Sequence, residues 1–262
     1  MKLFVFAILS FLASLLVAQE KTYPQNYFRN PLDIPLYLAG NFGELRTNHF
    51  HAGIDIKTEG VEGKKIYAAA DGYVSRIKVQ NGGYGKVIYI DHPNGYTTAY
   101  AHLKEFSSKI DYFAKKEQYQ NESYIINWYP EPNQIHVKKG EIIALSGNTG
   151  RSGGPHLHYE IRETKSEHPL NVLLFGIPIK DNIKPIIRGI RIYPLSDNAT
   201  INGQPKAIYF KVTNDTNVNK LNTIPTVSKK IGFGIETLDK INGSGNRCGI
   251  YSIQLKIDEK IV

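Results

Sequence analysis

Between Leu36 and about Thr164 almost every local signal is that of a short strand closed by a glycine-rich turn. Lys65 to Ala70 ends at Asp71-Gly72. Tyr73 to Gln80 alternates loosely, with Tyr73, Ser75 and Ile77 set against Val74, Arg76 and Lys78, and ends at Asn81-Gly82-Gly83. Lys86 to Asp91 and Tyr96 to His102 flank Pro93-Asn94-Gly95, a strong hairpin signal. Glu141 to Ser146 is closed by Gly147-Asn148-Thr149-Gly150, and His156 to Arg162 is the last strand of the series. Such a run restricts the chain to the all-β class, as a sandwich or barrel. One segment, residues 104–136, departs from it. Ser107 can cap a helix whose face carries Ile110, Phe113 and Ala114. Trp128-Tyr129-Pro130-Glu131-Pro132 then ends any helix, because each proline lacks the backbone donor that a helix interior needs. The expectation is an inserted helix followed by a Pro-rich loop. Long insertions of this kind are often binding loops or lids.

The 262 residues leave room for one large domain or two smaller ones. Met1-Lys2, the apolar run Leu3 to Val17 and the small residue in Val17-Ala18-Gln19 read as a secretory signal peptide over residues 1–18. No Cys follows that run, which argues against a lipoprotein anchor, and no later run is long enough to cross a bilayer. Residues 19–36, with Pro24, Pro31 and Pro35, form an extended lead-in. Residues 167–182 read as a linker. Beyond them, Ile186 to Tyr193, Ala207 to Val212, Ile231 to Thr237 and Gly249 to Ile257 predict a second, β-sandwich-like domain over 183–262. It stops at Lys260-Ile261-Val262 with no closing turn, as expected of a fragment cut within that domain. Cys248 is the only cysteine, so a secreted chain of this kind relies on packing rather than an internal disulfide. Its expected role is that of a small apolar residue in a β core. The net charge of +8 favours an anionic surface such as cell-wall polymer or lipid headgroups. No nucleic-acid module is present, and secretion argues against a nucleic-acid partner.

Four of the eight histidines, with one aspartate, fall in three short motifs: His51 and Asp55 in His-Ala-Gly-Ile-Asp, His102 in Tyr-Ala-His-Leu, and His156 and His158 in Pro-His-Leu-His-Tyr. Zinc takes imidazole nitrogen and carboxylate oxygen, and a catalytic site keeps three protein ligands and one open position. These five residues supply such a set with two imidazoles left over for acid/base work. Residues i and i+2 of a strand share a face, so His156 and His158 project together. Glu160 shares that face, either orienting an imidazole or lying at the strand end in solvent. Gly53 permits a bend that could bring His51 and Asp55 to one point. His102 ends a strand whose same-side residues Tyr96, Thr98 and Tyr100 would line a groove. Taken singly, each residue is more often structural than catalytic; three such motifs in one β domain make that reading hard to sustain. His49 is a groove candidate without a role, and His92, His136 and His168 read as structural. The stretch Gly147 to Gly154 lacks the Gly-Lys-Ser/Thr of a phosphate loop. No His-Glu-x-x-His helix and no nucleophile elbow occurs.

In order along the chain stand Phe42-Gly43-Glu44-Leu45-Arg46, His51-Ala52-Gly53-Ile54-Asp55, Tyr100-Ala101-His102-Leu103, Val137-Lys138-Lys139-Gly140 and Ser146 through His158. This set resembles the lysostaphin-type zinc metallopeptidases over residues 38–165. The resemblance implies the duplicated hybrid motif, a two-sheet β domain with a narrow groove, here over residues 37–166. It implies zinc held by His51, Asp55 and His158, with His102 and His156 as the catalytic pair. It also implies peptidoglycan stems or cross-bridges as substrate. The expectation is thus a secreted zinc metalloendopeptidase of the periplasm or cell envelope. Two departures qualify the likeness. The long insertion should rebuild one groove wall and alter substrate choice, and either it or the lead-in could cover the groove. The C-terminal β domain is not a familiar wall-binding module, and an envelope protein is its expected partner. The alternative is a non-catalytic cell-envelope binding module that regulates wall hydrolases, which a complete ligand set disfavours. A third reading, an adhesive or structural envelope protein, places the function in the second domain.

Overall fold

The computed structural model describes residues 22–214 and 219–262. The signal peptide expected at 1–18 lies outside them. In chain order the first part contains Leu38–Gly40 (β1), Ile54–Lys57 (β2), Lys65–Tyr67 (β3), Gly72–Val79 (β4), Lys86–Asp91 (β5), Tyr96–Ala101 (β6), Leu103–Phe106 (β7), the helix Ser108–Gln120 (α1), Ile126–Trp128 (β8), His136–Val137 (β9), Ile142–Ser146 (β10), His156–Glu163 (β11) and Pro169–Leu170 (β12). One sheet runs β1-β2-β11-β6-β5-β4-β8, with β12 added on β11 and β9 on β4; a second runs β3-β10-β7. The all-β expectation holds. The two sheets enclose one core. Alternation along β11 sends Leu157, Tyr159 and Ile161 into it, beside Ile54 and Ile56 of β2 and Ile88 and Ile90 of β5. The second sheet answers with Ile66, Ile143 and Leu103. His156, His158, Glu160 and Arg162 therefore project from the opposite face of β11, away from the core.

The lead-in is packed rather than loose. Phe28, Leu32 and Leu36 are buried in the same core, and the Arg29 N–H donates to the Ala69 carbonyl at 2.8 Å. The insertion begins as the sequence predicts. Ser107 stands at the N-cap of α1, although its side chain makes no capping bond, and Ile110 and Ala114 are buried. Phe113 stacks on Trp128 with ring centroids 6.2 Å apart. The insertion is more than helix and loop, however. β8 pairs with β4, setting Ile77 opposite Trp128 and Val79 opposite Ile126. An open strand edge presents unpaired N–H and C=O groups, and Ile-Asn-Trp, apolar-polar-apolar, fits that edge.

Further on, Ile186–Pro194 (β13), Thr200–Ile201 (β14), Ile208–Asn214 (β15), Asn219–Leu221 (β16), Val227–Ser228 (β17) and Ile231–Leu238 (β18) follow. They form a sheet β16-β15-β13-β18 and a ribbon β14-β17. Ile192, Ile201 and Phe210 are its small buried core. The strand expected over Gly249 to Ile257 is reduced to Lys256–Ile257, paired with Lys260–Ile261. Tyr251, Ile253 and Leu255 of that stretch are exposed, so no sheet face is there to hold them. Just before it, Ile241 and Cys248 are buried in the core of the first part. Among the described residues no helix is long and apolar enough to cross a membrane.

Candidate metal centre

β2 and β11 lie side by side, and their register sets Asp55 directly opposite His158. His51 enters from the segment before β2. Gly53 makes this approach possible: a side chain there would meet the Tyr159 carbonyl oxygen at 2.3 Å. Its role is thus close contact between backbones, not a bend. Three ligand-type atoms converge as a result. His51 Nε2 lies 3.0 Å from Asp55 Oδ1 and 3.0 Å from His158 Nδ1, and His158 Nδ1 lies 2.9 Å from Asp55 Oδ1. Ligand atoms at the corners of a zinc tetrahedron, each about 2.0–2.1 Å from the ion, stand about 3.3 Å apart. The three residues need to open only slightly to meet that spacing. His156 Nε2 is 3.5 Å from Asp55 Oδ1, and the rings of His102 and His156 lie 4.7 Å apart.

The proton positions follow from the partners. A carbonyl or ionised carboxylate oxygen only accepts, so the imidazole nitrogen facing it carries the hydrogen. His51 Nδ1–H donates to the Asn41 carbonyl at 2.6 Å, leaving Nε2 for the cluster. His158 Nε2–H donates to Glu160 Oε1 at 2.8 Å, while Nδ1 faces Asp55 Oδ1 at 2.9 Å. Burial works against the charged ring, but Asp55 and Glu160 outweigh it and push His158 up to about 9, so Nδ1 carries a proton that a bound cation would displace. His102 Nδ1–H donates to the Thr149 carbonyl and His156 Nδ1–H to the Gly154 carbonyl, each at 2.8 Å, leaving both Nε2 atoms as acceptors. Burial, followed by the neighbouring His156 and His158, pushes His102 down to about 4, so it is neutral at pH 7. Burial alone would raise Asp55, but its contacts with the facing imidazoles of His156, His158 and His51 outweigh it and hold the carboxyl well below the usual range. Arg46 binds the other oxygen of Asp55 at 3.1 Å. Burial likewise works against the charged Glu160, yet His158 and Arg162 hold it ionised, at about 2.

The structure settles several sequence readings. Glu160 is fully buried and bonded to His158, not in solvent at a strand end. The row Tyr96, Thr98, Tyr100 does not line the groove. Thr98 and Tyr100 are fully buried, with the Tyr100 hydroxyl accepting from Ala69 N–H at 2.8 Å. The parity argument fails because β6 ends at Ala101 and His102 takes a left-handed backbone, φ 59°, which turns its ring to the metal-type cluster. Ala99 and Ala101 are the residues of β6 beneath the site face. The groove, about 850 Å³, is lined by Arg46, His49, Tyr84, Arg151 and Asn246 together with the five residues above. No residue of the insertion or of residues 22–36 lines it, so the insertion does not rebuild a groove wall. Asn246, from the far end of the chain, does. Arg46, Tyr84 and Arg162 were not assigned roles from sequence. Tyr84 donates its hydroxyl to Glu160, and Arg162 caps the same carboxylate; only the buried position of Glu160 reveals them.

A two-sheet β domain whose groove holds a His/Asp/His cluster beside two further imidazoles has the design of a metal-dependent hydrolase. Residues 49–119 and 131–171 match Peptidase family M23, and this part of the chain is similar to that family. The gap in the match falls within the insertion. Over 134 residues, 51% of the chain, it is 36% identical to the DD-carboxypeptidase/endopeptidase Mpg of Neisseria meningitidis serogroup B. Over 162 residues, 59% of the chain, it is 32% identical to the peptidoglycan DD-endopeptidase ShyA of Vibrio cholerae. The chain spans only 24% and 31% of those relatives' lengths. Among solved structures, a zinc containing peptidase from Vibrio cholerae is similar with a TM-score of 0.43 and 25% identity, over 59% of this chain and 41% of that one.

Proposed function

We propose that the chain is a zinc metalloendopeptidase that hydrolyses peptide bonds of peptidoglycan outside the cytoplasm. The observation that carries this reading is the convergence of His51 Nε2, Asp55 Oδ1 and His158 Nδ1 with the imidazoles of His102 and His156 alongside. His51, Asp55 and His158 are the proposed zinc ligands. Bound there, zinc would supply a Lewis acid for a carbonyl oxygen and lower the pKa of water towards neutrality. The other work falls to the chain. His102 and His156, with Nδ1 protons fixed on backbone carbonyls, present Nε2 lone pairs into the groove as the acid/base pair. Once protonated, the same nitrogens can donate to an oxyanion or a leaving amine. Glu160 holds the tautomer of His158, and Arg46 holds Asp55. The peptidoglycan substrate is supported by the two relatives named as peptidoglycan or DD-peptide hydrolases and by the charge of +8, which suits an anionic polymer.

The test compares two variants. His158→Ala should lose both zinc and hydrolysis of purified muropeptides. His102→Ala should retain zinc and lose hydrolysis by at least about a hundredfold. Zinc content and mass analysis of the digest report the two outcomes together. Undiminished hydrolysis in either variant would refute the site.

A further inference from the structure

A second pocket, about 270 Å³, lies on the same sheet face as the metal-type cluster but at the other end of β11. Arg162 lines it, four residues beyond His158, or about 13 Å along the strand. Its lining answers what the insertion builds. Tyr129 and Pro130, from the Pro-rich loop, close it over β4 and β5. The Arg76 guanidinium sits between two rings, 5.1 Å from the Tyr89 centroid and 5.0 Å from that of Tyr129. Its Nε donates to Asn127 Oδ1 of β8 at 2.7 Å, and it forms no ion pair among the described residues. A guanidinium clamped by stacking and one hydrogen bond has its remaining donors oriented in advance. Arg162 adds a second guanidinium, 5.7 Å from the same Tyr89 ring and anchored on Glu160. The pocket also holds acceptors, the carboxylates of Glu167 and Asp91. Asp91 Oδ1 receives Ser75 Oγ at 2.8 Å and Thr97 Oγ1 at 2.7 Å, which fix the carboxylate without neutralising it.

Two oriented guanidiniums and a fixed carboxylate in one small pocket match a ligand that carries a carboxylate and an ammonium close together. We propose that this pocket binds an α-amino-acid head group, its carboxylate on Arg76 and Arg162 and its ammonium on Asp91. The volume, at the small end of ligand pockets, which run from about 300 Å³, suits one such head group rather than a long chain. The site shares no lining residue with the metal-type groove and does not depend on the function proposed for it.

Ligand-observed NMR titration of the chain tests this with norleucine, N-acetyl-norleucine and norleucine amide. Norleucine should bind, and capping either end should weaken it at least about tenfold, because each cap removes one charge-assisted contact. Arg76→Gln and Asp91→Asn should each weaken it by a similar factor, whereas Asp55→Ala in the groove should not. Tyr129→Ala, on an exposed loop that the sheet does not need, should also weaken binding while leaving the melting curve in place. Absence of norleucine binding, equal binding of the capped forms, or undiminished binding by Arg76→Gln and Asp91→Asn would overturn the proposal.

Discussion

Glu160 is where the chemistry of the site is set one bond away from it. Its carboxylate accepts from His158, Tyr84 and Arg162 while fully buried. Removing its charge while keeping its shape should therefore act on metal affinity more than on folding. Glu160→Gln should weaken zinc about 10- to 100-fold in competition with a chelator. Tyr84→Phe, which removes one donor and leaves the carboxylate, should do less. At this scale the sequence was partly legible. The i, i+2 spacing of His156, His158 and Glu160 reads directly as one face of a strand. The aim of His102 does not, because it depends on a single positive φ, a conformation that only a few per cent of non-glycine residues adopt. Asn41, Thr149 and Gly154 act through backbone carbonyls, which carry no residue signature at all.

Among the elements, β2 and β11 do most to place the site, and their tight contact at Gly53 is its weak point. Gly53→Ala would drive a methyl group into the Tyr159 carbonyl. It should cost about 1–3 kcal/mol in urea denaturation, with zinc affinity falling alongside. A second element-level prediction concerns His92, just after β5. It is buried, donates to the Asp71 carbonyl and sits 2.8 Å from Thr98 Oγ1. Burial, only partly offset by the Asp71 carbonyl and nearby carboxylates, lowers its pKa. The unfolded chain then takes up a proton, near pH 6.5, before the folded one does, so stability is full above that pH and falls as the pH drops below it. The urea midpoint should fall between about pH 7.5 and about pH 5.5, and His92→Gln should show a smaller fall. Strand positions were legible because Lys86 to Asp91 and its neighbours carry both alternation and turn signals. The role of the insertion was not, because β8 is only three residues long and is defined by the free edge of β4, a partner nearly fifty residues away.

For the whole molecule, the charge of +8 is a statement about long-range attraction. Binding to purified anionic cell-wall sacculi should weaken as salt rises from about 0.05 M to about 0.5 M, since the screening length shrinks several-fold. The chain also returns on itself, with Ile241 and Cys248 in the first core and Asn246 at the groove. That closure was invisible in the sequence, where everything after residue 183 reads as one further unit. The pairing of Asp55 with His158 has a consequence beyond chemistry. These residues are 103 positions apart, in a chain whose lone cysteine leaves it no disulfide. An ion seated between them would act as a clasp that ties the first and last strands of the large sheet's centre and forbids β11 to slip by one residue. A covalent link closing a loop of that length is worth about 4–5 kcal/mol. Chelation should accordingly lower the melting temperature by at least about 5 °C. Calorimetry with and without zinc would show it, in the absence of any substrate.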